Sequence, residues 1–308
     1  MRVLITPRSM TSAGLDSVPE LNPLRERGVE LISGPAGRLP TEPELLELVH
    51  DVDGWLAGVE VVSARVLAEA PQLRVISRNG VGADAVDLAA AEARGIIVAL
   101  ARGANSRGVA ELAILLTMAG LRHLPEANAA MKTGEWQRTL GREMPDITLG
   151  LVGFGAIGRL VAELASGLGA CVLAHDAYSE VDAASHASSA TFAEVFARSD
   201  VVSLHSPPPA DGSPLVTAEV LATMRRGAVL INTARSALVD DDAVVSALGS
   251  GRLSAYAVDA FDNEPPRLSP LLLHEHTILT PHLGGFTDAS TRRATEQAVA
   301  NLITTLGL

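Results

Sequence analysis

Leu149-Gly-Leu-Val-Gly153-Phe-Gly155-Ala-Ile-Gly158-Arg-Leu-Val-Ala162 decides how this chain is read. An apolar run enters Gly-x-Gly-x-x-Gly and an amphipathic stretch leaves it, which predicts a strand, a tight turn and a helix. Gly153 permits the turn, Gly155 lets a pyrophosphate approach the backbone, and Gly158 lets the helix pack close to the strand. The helix start, with Ala156 and Ile157, offers unpaired N–H groups and a positive dipole end to phosphates. Asp176 ends Val172-Leu-Ala-His-Asp176, 176 − 155 = 21 residues after Gly155. A carboxylate at that distance accepts ribose hydroxyls and repels a 2′-phosphate. No Arg or Lys follows in Ala177-Tyr-Ser-Glu180, so the cofactor predicted is NAD rather than NADP.

On both sides of the turn, short apolar runs alternate with amphipathic stretches, the pattern of βαβ units on a parallel sheet. Strands are predicted at Arg2–Thr6, Val29–Ser33, Gly54–Gly58, Leu73–Ser77 and Ile96–Ala99. A second series covers Ile147–Val152, Cys171–His175, Val201–His205, Ala228–Asn232, Ala255–Asp259 and Thr277–Leu279. Helices are expected at 41–50, capped by Thr41, and at 63–69, capped by Ser63. The stretch from Asn105 or Ser106 to Arg122 has helical spacing with apolar residues on most sides, as in a linker helix buried between domains. Polar 125–142, with Trp136 isolated in it, reads as an arm that packs on a second subunit. A last helix spans 288–306. The expectation is an α/β protein of two doubly wound parallel-sheet domains: 1–99 with 284–308, and an inserted 100–283.

The 308 residues suit about two domains. Hydrophobic residues at 47% and charged residues at 19% exclude a disordered chain. With 24 basic and 36 acidic side chains the net charge is −12, which argues against a nucleic-acid or anionic-membrane binder. Met1-Arg-Val-Leu-Ile-Thr6 turns polar too soon for a signal peptide, and the apolar run Val109–Leu121 contains Glu111 and is too short to span a bilayer. A cytoplasmic protein is expected. Cys171, the single cysteine, reads as a buried strand thiol. His274 and His276 form a His-x-His with no third ligand in view, so no metal is expected.

Three further segments fall where strands of the second domain should end: Asn232-Thr-Ala-Arg235-Ser-Ala-Leu-Val-Asp240, Asp259-Ala-Phe-Asp-Asn-Glu264-Pro and Leu279-Thr-Pro281-His282-Leu-Gly-Gly285. In open α/β sheets ligands bind at that edge. One Arg, one Glu and one His converging there suggest acid–base chemistry on an anion. Singly, each has a duller explanation: a surface Arg, a turn Glu before Pro265, an interior His.

Jointly, with Asn79-Gly-Val-Gly-Ala-Asp84, Val109-Ala-Glu111 and Val202-Ser-Leu-His205-Ser-Pro207, these motifs make the chain resemble the D-isomer-specific 2-hydroxyacid dehydrogenases over nearly its whole length. The resemblance implies a flavodoxin-like substrate domain and a Rossmann domain with the cleft between them, and catalysis by Arg235, Glu264 and His282. It also implies NAD contacts from His205, Thr233, Ala234 and Asp259, substrate contacts from Arg78, Asn79, Val81 and Gly82, and a homodimer. Arg235 would hold the 2-oxo-acid carboxylate, His282 would give a proton to the carbonyl oxygen, and Glu264 would fix its tautomer. Arg78 is a candidate for a distal phosphate, phosphonate or carboxylate, as in a 3-phosphoglycerate-like substrate. Glyoxylate, hydroxypyruvate or pyruvate are the plain alternatives. A non-catalytic NAD(H)-sensing module of the corepressor type is the alternative function. Ser236 stands where the family usually has Gly, and Gly108 where Ser is frequent. The C-terminal regulatory domain of many phosphoglycerate dehydrogenases is not expected.

Overall fold

The computed structural model describes residues 1–12, 14–182 and 185–308. The chain divides into two compact units, Met1–Asn105 with Asp288–Leu308, and Ser106–Thr287. The first crossing thus falls six residues beyond the expected 99/100 boundary (105 − 99 = 6). Ala101 and Ala104 are buried against Ala294 and so stay with the first unit.

In the first unit the described residues form five parallel strands: β1 (Arg2–Ile5), β2 (Glu30–Ser33), β3 (Gly54–Ala57), β4 (Val75–Arg78) and β5 (Ile97–Leu100). Their order, β2-β1-β3-β4-β5, is the flavodoxin-like one. Alternation sorts the side chains: Val3, Ile5, Leu56 and Val75 bury on one face with Leu21, Leu24 and Leu302. Leu4, Trp55, Ala57 and Ile76 bury on the other, with Leu45, Val66 and Ala91. Each large aliphatic side chain so buried stabilises the fold by about 1.5–3 kcal/mol before entropy is counted. Helix Glu42–Leu48 starts at Thr41, whose N–H is accepted by Glu44 at 2.8 Å, and helix Ala64–Ala68 at Ser63, whose hydroxyl accepts from Val66 N. Helix Asp288–Leu306 has the predicted bounds.

In the second unit the described residues form β6 (Thr148–Val152), β7 (Cys171–His175), β8 (Ser188–Ser189), β9 (Val201–Leu204), β10 (Ala228–Asn232), β11 (Leu253–Val258) and β12 (Thr277–Leu279). The order is β12-β11-β10-β9-β6-β7-β8, all parallel. It reverses direction at β6, so the glycine turn leaves the sheet at its topological switch point. Leu149, Leu151, Val229 and Ala255 face helices Ser106–Leu121 and Ala156–Gly167. Leu204, Leu230 and Tyr256 face Phe192–Arg198, Ala218–Thr223 and Asp241–Gly249.

Helix Ser106–Leu121 is buried on most sides, as expected: eleven of its sixteen residues are buried, Ala110, Ala113 and Leu116 among them, while Leu115 and Met118 are exposed. The segment expected as a polar arm opens with helix Leu124–Lys132. Cys171 is exposed rather than buried, because the first residue of β7 points away from the face on which Val172 is packed. Strand β8, two polar residues long, left no hydrophobic signal to read.

Candidate active site

Gly153 has φ 100°, a backbone region that side chains rarely adopt, and a Cβ there would meet the His205 carbonyl carbon and oxygen at 2.6 Å. A Cβ on Gly158 would lie 2.2 Å from the Gly153 carbonyl oxygen. The space over Gly155 is open instead, and Ala156 is exposed with Ile157 half-buried behind it. Asp176 closes the far side of the turn. Its Oδ2 accepts the Phe154 N–H at 2.6 Å, and its Oδ1 accepts those of Tyr178 and Ser179 at 2.8 and 2.9 Å. Burial pushes this carboxyl up, but the three backbone donors outweigh it and hold Asp176 below the usual carboxylate range.

Beside the turn, the His205 N–H donates to the Val152 carbonyl at 2.7 Å, and its Nε2 lies 2.9 Å from Ser203 Oγ. Burial lowers the His205 imidazole to about 4, so the ring is neutral at pH 7. His205 Nδ1, Ser206 Oγ and Thr233 Oγ1 are buried without a hydrogen-bond partner among the described residues. Orphaned polar atoms of this kind fit a polar ligand such as a dinucleotide. Ser206 was not singled out in the sequence, although it lies in the quoted His205 motif.

β10, β11 and β12 are neighbours in register, with Asn232 beside Val258 and Val258 beside Leu279. The loops that follow therefore leave one sheet edge, carrying Arg235, Glu264 and His282. Asn232, fully buried, organises the first: its Nδ2 donates to the Arg235 carbonyl at 2.8 Å and its Oδ1 accepts the Ala234 N–H at 3.1 Å. Arg235 Nη1 donates to the Ala234 carbonyl at 2.7 Å. Glu264 Oε1 accepts the Phe261 N–H at 3.1 Å and lies 2.7 Å from His282 Nδ1.

Asp259 was expected as a cofactor contact; its hold on the His282 loop was not legible. Its Oδ1 accepts the Thr280 hydroxyl at 2.6 Å and the Leu283 N–H at 2.7 Å, and its Oδ2 accepts the Gly284 N–H at 2.8 Å. With the His282 N–H on the Asp259 carbonyl at 2.9 Å, the loop is gripped on both sides of the histidine, whose φ is 52°. His276 Nδ1 lies 3.2 Å from Glu126 Oε1. Among the described residues no group of three or more His, Cys, Asp or Glu could hold a metal ion. No described helix is long and apolar enough to cross a membrane.

The first unit carries the Arg78–Gly82 segment. Arg78, at the end of β4, is 6% exposed. Its Nε donates to the Gly82 carbonyl at 3.1 Å, and its Nη1 has no hydrogen-bond partner among the described residues. Burial lowers its guanidinium, opposed by the charges of Glu60 and Asp84. Asn79 N–H donates to the Ala57 carbonyl at 2.8 Å, and its Oδ1 accepts from Thr295. Val81 and Gly82 are partly exposed. Glu60 gave no sequence signal, yet it is buried: its Oε1 accepts the Thr6 hydroxyl and, at 2.9 Å, the Gly58 N–H.

Residues 114–284 match the NAD binding domain of the D-isomer specific 2-hydroxyacid dehydrogenases. D-3-phosphoglycerate dehydrogenase of Mycobacterium leprae is 37% identical over 265 residues, 84% of this chain and 50% of that protein. The chain thus spans about half the length of that relative. Hydroxypyruvate reductase of Thermotoga maritima is 33% identical over 272 residues, 86% of this chain and 88% of that one. The crystal structure of the TT0316 protein of Thermus thermophilus superposes with a TM-score of 0.87 at 36% identity, covering 100% of this chain and 97% of that one. With this sheet order, glycine turn and His–Glu pair, the chain belongs to the D-isomer specific 2-hydroxyacid dehydrogenase family.

Proposed function

We propose that the protein is an NAD-dependent dehydrogenase that interconverts a D-2-hydroxy acid and its 2-oxo acid. The 2.7 Å pair of His282 and Glu264 at a parallel-sheet edge carries this reading. The nicotinamide, when bound, supplies or accepts the hydride. In reduction the Arg235 guanidinium holds the substrate carboxylate through charge-assisted hydrogen bonds and so orients the carbonyl. A carboxylate can only accept, so Glu264 keeps the proton on His282 Nδ1 and fixes the ring's tautomer. Nε2 of His282 is then the nitrogen that gives its proton to the carbonyl oxygen, and in oxidation takes it back. Gly153, Gly155 and Gly158, the helix start at Ala156 and Ile157, Asp176, His205, Thr233, Ala234 and Asp259 are the groups we assign to the dinucleotide.

For the substrate we assign the N–H groups of Val81 and Gly82, with Asn79, to the carboxylate that Arg235 also holds, and Arg78 to a second, distal anion. The unsatisfied Arg78 Nη1 supports a distal phosphate or phosphonate. The commitment of Nε to the Gly82 carbonyl supports a second reading, in which Arg78 shapes the loop and the substrate is a small plain 2-oxo acid. NADH consumption with phosphohydroxypyruvate, phosphonopyruvate, hydroxypyruvate, glyoxylate and pyruvate separates these. Tight NADH binding without turnover on any would instead mark a sensing module.

We also propose a homodimer formed through the 105–145 region. Leu115, Met118, Leu124, Met131, Trp136 and Leu140 are exposed there, an unusual load of apolar surface for one segment. Sedimentation of the wild type against W136E/L140E tests it: the variant should sediment as monomer.

A further inference from the structure

We propose that Ser236 is a positioning residue that ties the Arg235 loop to the loop carrying Glu264. This rests on the catalytic assignment proposed above and adds a residue to it. Ser236 follows Arg235 directly, and its Oγ accepts the Asp262 N–H at 2.9 Å, across 26 residues of chain. Asp262 lies two residues before Glu264 (264 − 262 = 2). Glu264 Oε1 in turn accepts from Phe261 N–H and pairs with His282 Nδ1. A continuous run of contacts thus leads from the Arg235 backbone through one hydroxyl to the histidine.

The two loops differ in how else they are held. The Arg235 loop has a buried anchor of its own, because Asn232 grips both the Ala234 N–H and the Arg235 carbonyl. The segment 260–264 has no such buried side-chain anchor among the hydrogen bonds described, and its cross-loop contact to Ser236 is solvent-exposed. Residues 262–264 are themselves exposed. A glycine or alanine at 236 offers no acceptor to the Asp262 N–H. Removing the hydroxyl should therefore leave carboxylate binding by Arg235 nearly intact and loosen Glu264. The inference is that Ser236 acts on proton transfer rather than on substrate affinity.

The test compares wild type, S236A, S236G, S236T, E264Q and S236A/E264Q in NADH-dependent reduction of glyoxylate and hydroxypyruvate between pH 5.5 and 9.5. S236A and S236G should lower kcat about three- to tenfold, the effect of one hydrogen bond, with KM for the 2-oxo acid within about twofold on the same reasoning. The alkaline limb of the reduction profile should move as it does in E264Q, by less. S236T, which keeps the hydroxyl, should restore both. In the E264Q background, S236A should have no further effect on the limb. Ser236 is half-buried and the change removes one oxygen, and S236G gives an independent loss of the acceptor. If E264Q moves the limb while S236A and S236G leave kcat and profile unchanged, the tie is overturned and the catalytic assignment stands. If E264Q leaves the profile unmoved, or the wild type turns over no 2-oxo acid, the assignment falls and the tie with it.

Discussion

Glu264 Oε1 lies 2.7 Å from His282 Nδ1, and the two residues come from loops after neighbouring parallel strands. A pair built this way depends on both loops. E264Q keeps the shape but loses the charge-assisted hydrogen bond that fixes the imidazole's tautomer and aim, so the rate of 2-oxo-acid reduction should fall about ten- to hundredfold. H282Q, which removes the proton donor, should lose about 10²- to 10⁴-fold. Steady-state NADH oxidation reads both.

Asp176 should set cofactor choice. Held ionised by three backbone donors, it presents negative charge beside the glycine turn. D176N retains an oxygen for the Phe154 N–H but removes the charge. The ratio of kcat/KM for NADH over NADPH should drop at least about tenfold, one pair of opposed charges being worth about 1.4 kcal/mol or more in a partly buried site. An unchanged ratio would assign Asp176 to the turn alone.

His205 makes a prediction about acid stability. Burial lowers its imidazole to about 4, from an unfolded value of 6.5. A group whose native form must stay neutral contributes full stability above about pH 6.5, and that stability is lost as pH falls toward 4, because the unfolded chain binds the proton first. Between pH 7 and pH 5 the wild type should lose about 2 kcal/mol that H205Q does not. Urea unfolding at the two pH values measures it.

Asp200 has the opposite sign. Its Oδ1 accepts from Arg142 and Arg225 at 2.8 and 3.0 Å, and its Oδ2 from the Thr148 N–H at 2.8 Å. Burial pushes this carboxyl up, but those three donors outweigh it and depress the carboxyl overall. Its contribution is present above the unfolded carboxylate value and disappears as pH falls below it. D200N should cost about 2–4 kcal/mol at pH 7, lowering Tm by about 5–10 °C. The gap should narrow by pH 3, which differential scanning calorimetry can follow.

R78A distinguishes the two substrate readings. If Arg78 holds a distal anion, KM for phosphohydroxypyruvate should rise about ten- to a hundredfold, the range for losing a charge-assisted hydrogen bond. KM for glyoxylate should change little. Equal effects on both would mean that the guanidinium only holds the Gly82 carbonyl.

The sheets were legible because their runs, such as Leu149–Val152 and Ala228–Asn232, are apolar on both faces, as buried parallel strands must be. The glycine turn was legible because close backbone approach admits one residue type at Gly153 and Gly158. The His–Glu pairing was readable from motifs alone. Asp259 gripping the His282 loop was not, because two of its three partners there are backbone N–H groups that any sequence would supply. Glu60 stayed hidden for a related reason: nothing in Gly58-Val-Glu60 separates a buried carboxylate from a surface one. Cys171 was misread because an apolar neighbourhood fixes which strand a residue joins, not which way its first side chain turns.

The left-handed backbone at His282 has a practical consequence for protein engineers. The ring is aimed less by its own torsions than by an acid on the preceding strand's end, which clasps the chain on either side of it. Transplanting the Pro281-His282 dipeptide into another scaffold would move the imidazole without its aim. The smallest portable piece is a pair of adjacent strands with both of their exits, so a redesign that varies one exit must carry the other along unchanged.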